Sequence, residues 1–194
     1  MVRLILASQS ARRKEILSYF NLPFKQVSPS FDEHSVIYKR DPIKYVSLIA
    51  EGKAKAVKDI CNHEAILAAD TIVYRSGKIY HKPQTEQEAF SMLWDLAGKW
   101  HSVFTGVVLL YKANLYTGWE ETRVLFNHLT KEDIYRYHQK IHWADKAGGY
   151  AIQRAGSLIV NKIDGCYYNV MGLPLNTLRS LLKNCEIDLW DYVP

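Results

Sequence analysis

The chain opens on a short apolar run. Arg3-Leu4-Ile5-Leu6-Ala7 shows no polar alternation after Arg3, the pattern of a strand covered on both faces. Ser8-Gln9-Ser10 interrupts it. Ser10 is placed to cap a helix whose inner face carries Ile16, Leu17 and Phe20. Phe24 to Val27 reads as a second strand. Asp41-Pro42 opens the next helix, with Asp41 as N-cap and Pro42 at the first helical position. That helix heads toward Asp59 with Val46, Ile49, Ala50 and Val57 on its apolar stripe. Ala65 to Val73 is another buried strand, and Ser76-Gly77 turns it into Lys78 to Tyr80. Thr85-Glu86-Gln87-Glu88 forms a capping box for a helix through Ala97. His101 to Tyr111 and Leu115 to Phe126 are long strands joined near Ala113-Asn114. Thr130-Lys131-Glu132-Asp133 is a second box, with Asp in place of Glu, ahead of a helix to about Ile141. Leu158 to Ile163 and Cys166 to Val170 are expected to be short strands around Asp164-Gly165, and a last helix follows Pro174. Strands and helices mix throughout, as in an α/β or α+β fold with a mixed sheet. No linker, repeat or low-complexity tract divides residues 1–194, so one domain is expected, with room for a lobed shape.

Composition removes several classes. With 48% hydrophobic and 12% aromatic residues the chain has enough apolar surface to fold. The opening apolar run is too short for a signal peptide, and Val103 to Tyr111 is too short to span a bilayer. The cysteines Cys61, Cys166 and Cys185 are odd in number and form no CxxC pair, which argues against a disulfide framework or structural zinc. A soluble, cytoplasmic protein is the expectation. The formal charge of +5 poses a choice between a nucleic-acid footprint and a small anion site. No basic stripe and no aromatic RNA-binding motif supports the first, so neither a nucleic-acid nor a membrane partner is expected. His34, His63, His81, His101, His128, His138 and His142 lack metal-binding spacing, and no Walker A, GxGxxG or GxSxG motif occurs.

Three features break local rules. Arg12 and Arg13 fall in a helix's first turn, where the dipole disfavours cations. Either they meet an anion, or they are solvated or paired with carboxylates. Lys53 shares the inward stripe of its helix, seven residues after Val46 and four before Val57. It either snorkels to the edge or reaches a buried anion. Asp70 ends the run Ala65-Ile66-Leu67-Ala68-Ala69 at the carboxyl end of a central strand. There a metal ligand or general base competes with a turn-capping role near Thr71. Glu33, in the acidic loop Phe31-Asp32-Glu33-His34, and Lys82, before Pro83, read as surface residues when taken alone. Gly148-Gly149 marks special backbone just ahead of Gln153.

The same residues carry a resemblance. Leu6-Ala7-Ser8-Gln9-Ser10-Ala11-Arg12-Arg13 is similar to the Leu-Ala-Ser-x-Ser-Pro-Arg-Arg signature of the Maf proteins, relatives of the Ham1 nucleotide pyrophosphatases. Phe31-Asp32-Glu33, Lys53-Ala54-Lys55-Ala56, Ala69-Asp70-Thr71, Lys82-Pro83 and Thr105-Gly106-Val107 follow in the family's order. So do Asp145-Lys146-Ala147-Gly148, Tyr150, Ile152-Gln153 and Gly172-Leu173-Pro174. The match runs from about Leu4 to Leu182. Departures include Ala11 for the proline of the signature, His81 before Lys82, the Gly149 and Ala151 exchange around Tyr150, His142-Trp143, and Cys166.

The resemblance implies an α/β fold of the Maf/Ham1 (ITPase-like) type. Its features are an elongated mixed sheet with flanking helices and two lobes around a central cleft. It implies a small-molecule partner, a nucleoside triphosphate hydrolysed at the α–β bond to monophosphate and pyrophosphate in a house-cleaning role. Magnesium or manganese is the implied cofactor. Ser8, Arg12, Arg13, Lys53 and Lys82 would contact phosphates, Asp70 would accept a proton, and Glu33 would be a second acid near the metal or the water. Asp70 and Glu33 are the implied metal ligands. Arg12, Thr71 and Gln153 match the branch acting on dTTP and UTP. The family is also linked to inhibition of septum formation, so a nucleotide-binding regulator without significant turnover is the alternative. A homodimer stays open.

Overall fold

Side-chain caps start the helices where the sequence puts them. In the computed structural model, which describes residues 3–61 and 64–194, Ser10 accepts a hydrogen bond from the Arg13 N–H and opens α1 (Ala11–Leu17). Met1, Val2 and His63 lie outside the described residues, with the expectations placed on them. Asp41 accepts from the Lys44 N–H and opens α2 (Pro42–Ala56), with Pro42 in the first turn. Thr85 caps α3 (Glu86–Leu96) by accepting from the Glu88 N–H. The expected box there is not reciprocal, because the Glu88 carboxylate accepts from the Gln84 N–H instead. Thr130 and Asp133 do close a full capping box on α4 (Lys131–His138), satisfying two otherwise orphan N–H groups.

The strands are β1 (Leu4–Ala7), β2 (Phe24–Val27), β3 (Ala65–Arg75), β4 (Lys78–Tyr80), β5 (Trp100–Tyr111), β6 (Asn114–Phe126) and β7 (Val160–Asp164). Among the described residues they form one 7-stranded sheet in the order β2-β1-β3-β5-β6-β7, with β4 on β3. β1 pairs in parallel with β2 and β3, whereas β3–β4 and β6–β7 are antiparallel. The sheet is therefore mixed, as expected. Between β5 and β6, Lys112 and Ala113 have φ of 48° and 66°, the positive pair that a tight hairpin turn demands.

Three expectations in the C-terminal third of the chain fail. Residues Tyr167–Met171 form a short helix, α5, and not a strand. The aromatic and β-branched run suggested a strand, but tertiary bonds override it. Asn169 is fully buried and its Nδ2 donates to the Val103 carbonyl and to Thr122 Oγ1, both at 3.0 Å. Thr122 Oγ1 also bonds both backbone groups of Cys166, which holds the start of α5. The preceding strand begins at Val160 rather than Leu158, because 154–158 makes a 3-10 turn. α4 also stops at His138, short of Ile141. The final helix, α6 (Leu175–Leu182), follows Pro174 as expected.

The chain divides into two units. The first comprises residues 1–70, 105–120 and 172–194, and the second 71–104 and 121–171. The core of the first packs Ile5, Ala7, Ile66, Ala68, Val108 and Leu110 of the strands against Ala50, Ala54 and Val57 of α2. Small residues let α2 lie close to the sheet. A side chain on Gly106 would meet the Val46 carbonyl carbon at 2.8 Å, so the backbones of β5 and α2 nearly touch. The core of the second unit gathers Val73, Leu93, Leu96, Val103, Val124, Phe126, Ile134, Tyr137 and Tyr150. Fully burying each such side chain contributes about 1.5–3 kcal/mol before entropy is counted. No helix among the described residues is long and apolar enough to cross a membrane.

Candidate active site

Lys53 is the centre of the first unit's chemistry. The inward stripe of α2 carries it to the middle of β3, where its Nζ stands 2.6 Å from Asp70 Oδ1 and 2.9 Å from Glu33 Oε1. Asp70 is thus not at a strand's carboxyl end as expected, because pairing with β4 carries β3 on through the buried Ile72 and Val73 to Arg75. The Lys53 and Asp70 side chains are 8% and 9% exposed, and Glu33 is 41% exposed. Lys53 therefore does not snorkel. It answers the desolvation cost of Asp70, which a lone ionised carboxylate could not bear in such a place.

Glu33 reaches this pair by a local device. It begins a 3-10 turn, Glu33–Ser35, whose N-cap Asp32 accepts from the His34 N–H. The preceding Phe31 ring fills the space where a side chain on Gly52 would project, so any side chain at 52 would have to displace the ring that settles the loop on α2 beside Lys53. Sequence alone left Glu33 as a surface acid, because nothing in its own segment reports that contact.

Arg13 is the second buried cation, 8% exposed. Its Nε donates to the Gly172 carbonyl at 2.7 Å and one terminal nitrogen donates to Ser8 Oγ at 3.3 Å. Burial lowers its pKa, while the Asp70 and Glu33 charges oppose that shift and the neighbouring Arg12 adds to it. Ser8 is itself buried, and its Oγ also accepts from the Ser10 N–H. The carbonyl of Ser8 is held by Gln26 Nε2 at 2.8 Å. The loop after β1 is thus fixed from several sides. Arg12, one residue earlier, is half-buried.

The first unit therefore brings together Ser8, Arg13, Glu33, Lys53 and Asp70. Tyr45 joins them without having been foreseen. It lies two helical steps of four before Lys53, and burial and the Asp70 and Glu33 charges all push its hydroxyl pKa up. Its position on the stripe was legible, but a tyrosine there reads as core. Among the described residues, no group of three or more His, Cys, Asp and Glu side chains could hold a metal ion by itself.

The remaining expected residues belong to the second unit. Thr71 follows Asp70 on β3 and is half-buried, and Lys82 is exposed beyond β4. Gln153 is half-buried and precedes the 3-10 turn of 154–158. The backbone before it is special, as its paired glycines suggested. Gly148 and Gly149 both have φ of 70°, and Gly148 N–H donates to the His81 carbonyl at 3.0 Å.

A mixed sheet with flanking helices, carrying an acid–lysine–acid cluster within a central strand, defines the molecule as an α/β protein. The fold resembles that of the Staphylococcus aureus Ham1 protein, with a TM-score of 0.52 at 11% identity over 94% of this chain and 98% of that one. Residues 3–185 match the family described as Maf-like protein, and the chain belongs to that family. A relative from Chlamydia felis, named dTTP/UTP pyrophosphatase, is 47% identical over 192 residues, covering 98% of each chain. One of the same name from Clostridium perfringens is 42% identical over 97% of this chain and 100% of its own. A third, from Chlamydia muridarum, is named nucleoside triphosphate pyrophosphatase and is 39% identical over 98% of each.

Proposed function

We propose that this chain is a nucleoside triphosphate pyrophosphatase acting on dTTP and UTP or closely similar nucleotides. Water opens the α–β anhydride and the products are a monophosphate and pyrophosphate. The observation that carries the reading is Lys53 Nζ held between Asp70 and Glu33, in a chain whose relatives are named for this activity.

The roles follow from chemistry. Arg13, with Arg12 and Lys82, supplies fixed positive charge for a triphosphate, and Ser8 Oγ supplies a further hydrogen bond. Lys53 has two possible anionic partners, the acids and the phosphates. As phosphate oxygens take its ammonium, Asp70 Oδ1 becomes available to accept a proton from water. Glu33 orients that water or shares the proton. Thr71 and Gln153 offer donors and acceptors to the polar edge of a pyrimidine, and a site built on such bonds rejects bases that leave them unpaired.

Magnesium or manganese fits the donor set. Two carboxylates are hard oxygen ligands, and such ions commonly take one or two carboxylates together with substrate phosphates and water rather than a complete protein cage. Asp70 and Glu33 would hold the ion. When bound, it would neutralise phosphate charge and favour deprotonation of a coordinated water.

The test is a panel of canonical and modified triphosphates, with magnesium or manganese, assayed for monophosphate and pyrophosphate. Turnover of UTP and dTTP above CTP and the purine nucleotides is expected. Folded protein that turns over none of them would overturn the reading. Tight binding without turnover would favour the regulatory alternative instead.

A further inference from the structure

We propose that Tyr137 and Gly156 are positioning residues that fix Gln153, and through it the choice of base. The inference rests on the reading of Gln153 given above. Gln153 has no regular element of its own to hold it. It follows an irregular stretch, 148–152, between two positive-φ glycines and a 3-10 turn. A side chain that selects by hydrogen bonds must nevertheless be held to within a few tenths of an ångström.

The structure supplies that constraint from both sides of Gln153. Ahead of it, the Tyr137 hydroxyl donates to the Ala151 carbonyl at 2.9 Å and accepts from the Ala151 N–H at 3.0 Å. One neutral hydroxyl thus satisfies both backbone groups of a single residue. Tyr137 comes from α4, is 5% exposed, and cannot swing away without leaving the core. Behind Gln153, Gly156 N–H donates to the Gln153 carbonyl at 2.9 Å. Gly156 is fully packed against the same Ala151 carbonyl, and a Cβ there would collide with that oxygen. The Ala151 carbonyl is therefore both held by the tyrosine hydroxyl and packed against the glycine's bare Cα.

The rest of the stretch is anchored too. Tyr150 OH pairs with His101 Nε2 at 2.8 Å, and His138 Nε2 stands 3.3 Å from the Gly149 carbonyl. Each of these groups lies within the second unit. The arrangement exceeds what burial alone requires. A phenylalanine at 137 would fill the same volume but leave Ala151 free to turn.

The experiment compares kcat/KM for UTP and CTP in four variants. The ratio is unaffected by the fraction of protein that is folded, so a purely structural loss does not move it. Gln153→Ala should lose most of the preference. Tyr137→Phe keeps the ring and its packing, and should lower the ratio by about fivefold or more, mainly through KM for UTP. Gly156→Ala, whose added Cβ would displace the Ala151 carbonyl, should shift it in the same direction. Val124→Ala, in the same core, should lower thermal stability and leave the ratio unchanged. If Gln153→Ala loses the preference while Tyr137→Phe and Gly156→Ala keep the wild-type ratio, the proposal is wrong and the Gln153 reading stands. If Gln153→Ala keeps the preference, both fall together.

Discussion

The two units bury polar groups in opposite ways. In the first, Arg13, Lys53 and Asp70 are buried as charges and answer one another, with Glu33 at the edge. In the second, His101, Tyr137, His138 and Tyr150 are buried as neutral groups that bond to each other or to backbone. Burial pushes Tyr137 up to about 12, and His101 down to about 4, so both stay uncharged near neutral pH. A charged cluster stores electrostatic potential that a charged ligand can exchange for its own contacts. A neutral network stores only geometry.

The sharpest way to break the comparison is at Asp70. Asp70→Asn keeps the side chain's size but removes the carboxylate proposed to accept the proton. Turnover of UTP should fall by about a thousandfold, within the usual range for a lost general base. Circular dichroism should show an intact fold, as Glu33 still stands beside Lys53. Near-normal turnover would remove Asp70 from the mechanism.

Lys53→Met should reveal how the charged cluster is balanced. It leaves Asp70 buried with its closest cation gone, and removing one partner of a buried pair costs about 3–5 kcal/mol. Glu33 is too exposed to add much. Adding Asp70→Asn to Lys53→Met should recover most of the stability and none of the activity. Urea denaturation of the single and double variants measures this coupling directly.

The neutral network makes the opposite prediction about acid. The folded-state value of His101 lies below its unfolded value, so the unfolded chain binds the extra proton. Stability is then full above the unfolded value near 6.5 and falls as pH drops toward 4. Burial is the main cause, with the Arg75 charge acting in the same direction. His138, also held down by burial, adds to the loss. The difference for His101 is about 3 kcal/mol. His101→Phe should flatten the stability profile across that window, and an unchanged slope would show that His101 does not carry it.

Much of the charged unit was legible because charges that break a hydrophobic pattern announce themselves. Lys53 on an apolar stripe and Asp70 after an apolar run were both visible as anomalies, and the structure pairs them. The strand's continuation past Asp70 to Arg75 was not. Glu33 was not, since its partner lies twenty residues on and its approach depends on Gly52 leaving room for Phe31. The neutral network was illegible for a different reason. Tyrosine and histidine on helix and strand faces look like ordinary core, and no pattern tells which backbone group a hydroxyl will meet. The helix at Tyr167–Met171 was missed in the same way. Asn169 and Thr122 decide it, and they are 47 residues apart.

The smallest effect sharpens the comparison most finely, because it separates the stability of α4 from the geometry it delivers. Thr130 and Asp133 begin that helix with a reciprocal capping box, and Tyr137 lies near its other end. Thr130→Ala removes the side-chain acceptor for the Asp133 N–H. Loss of such a cap costs about 1 kcal/mol. In a chain of this length that lowers the melting temperature by about 2–4 °C. Ile134 and Tyr137 remain packed in the core, so the Tyr137 hydroxyl keeps its place on Ala151. The preference for UTP over CTP should therefore stay at the wild-type value while the melting point drops. A changed preference would mean that the helix start, and not the buried contact of Tyr137, sets the position of Ala151.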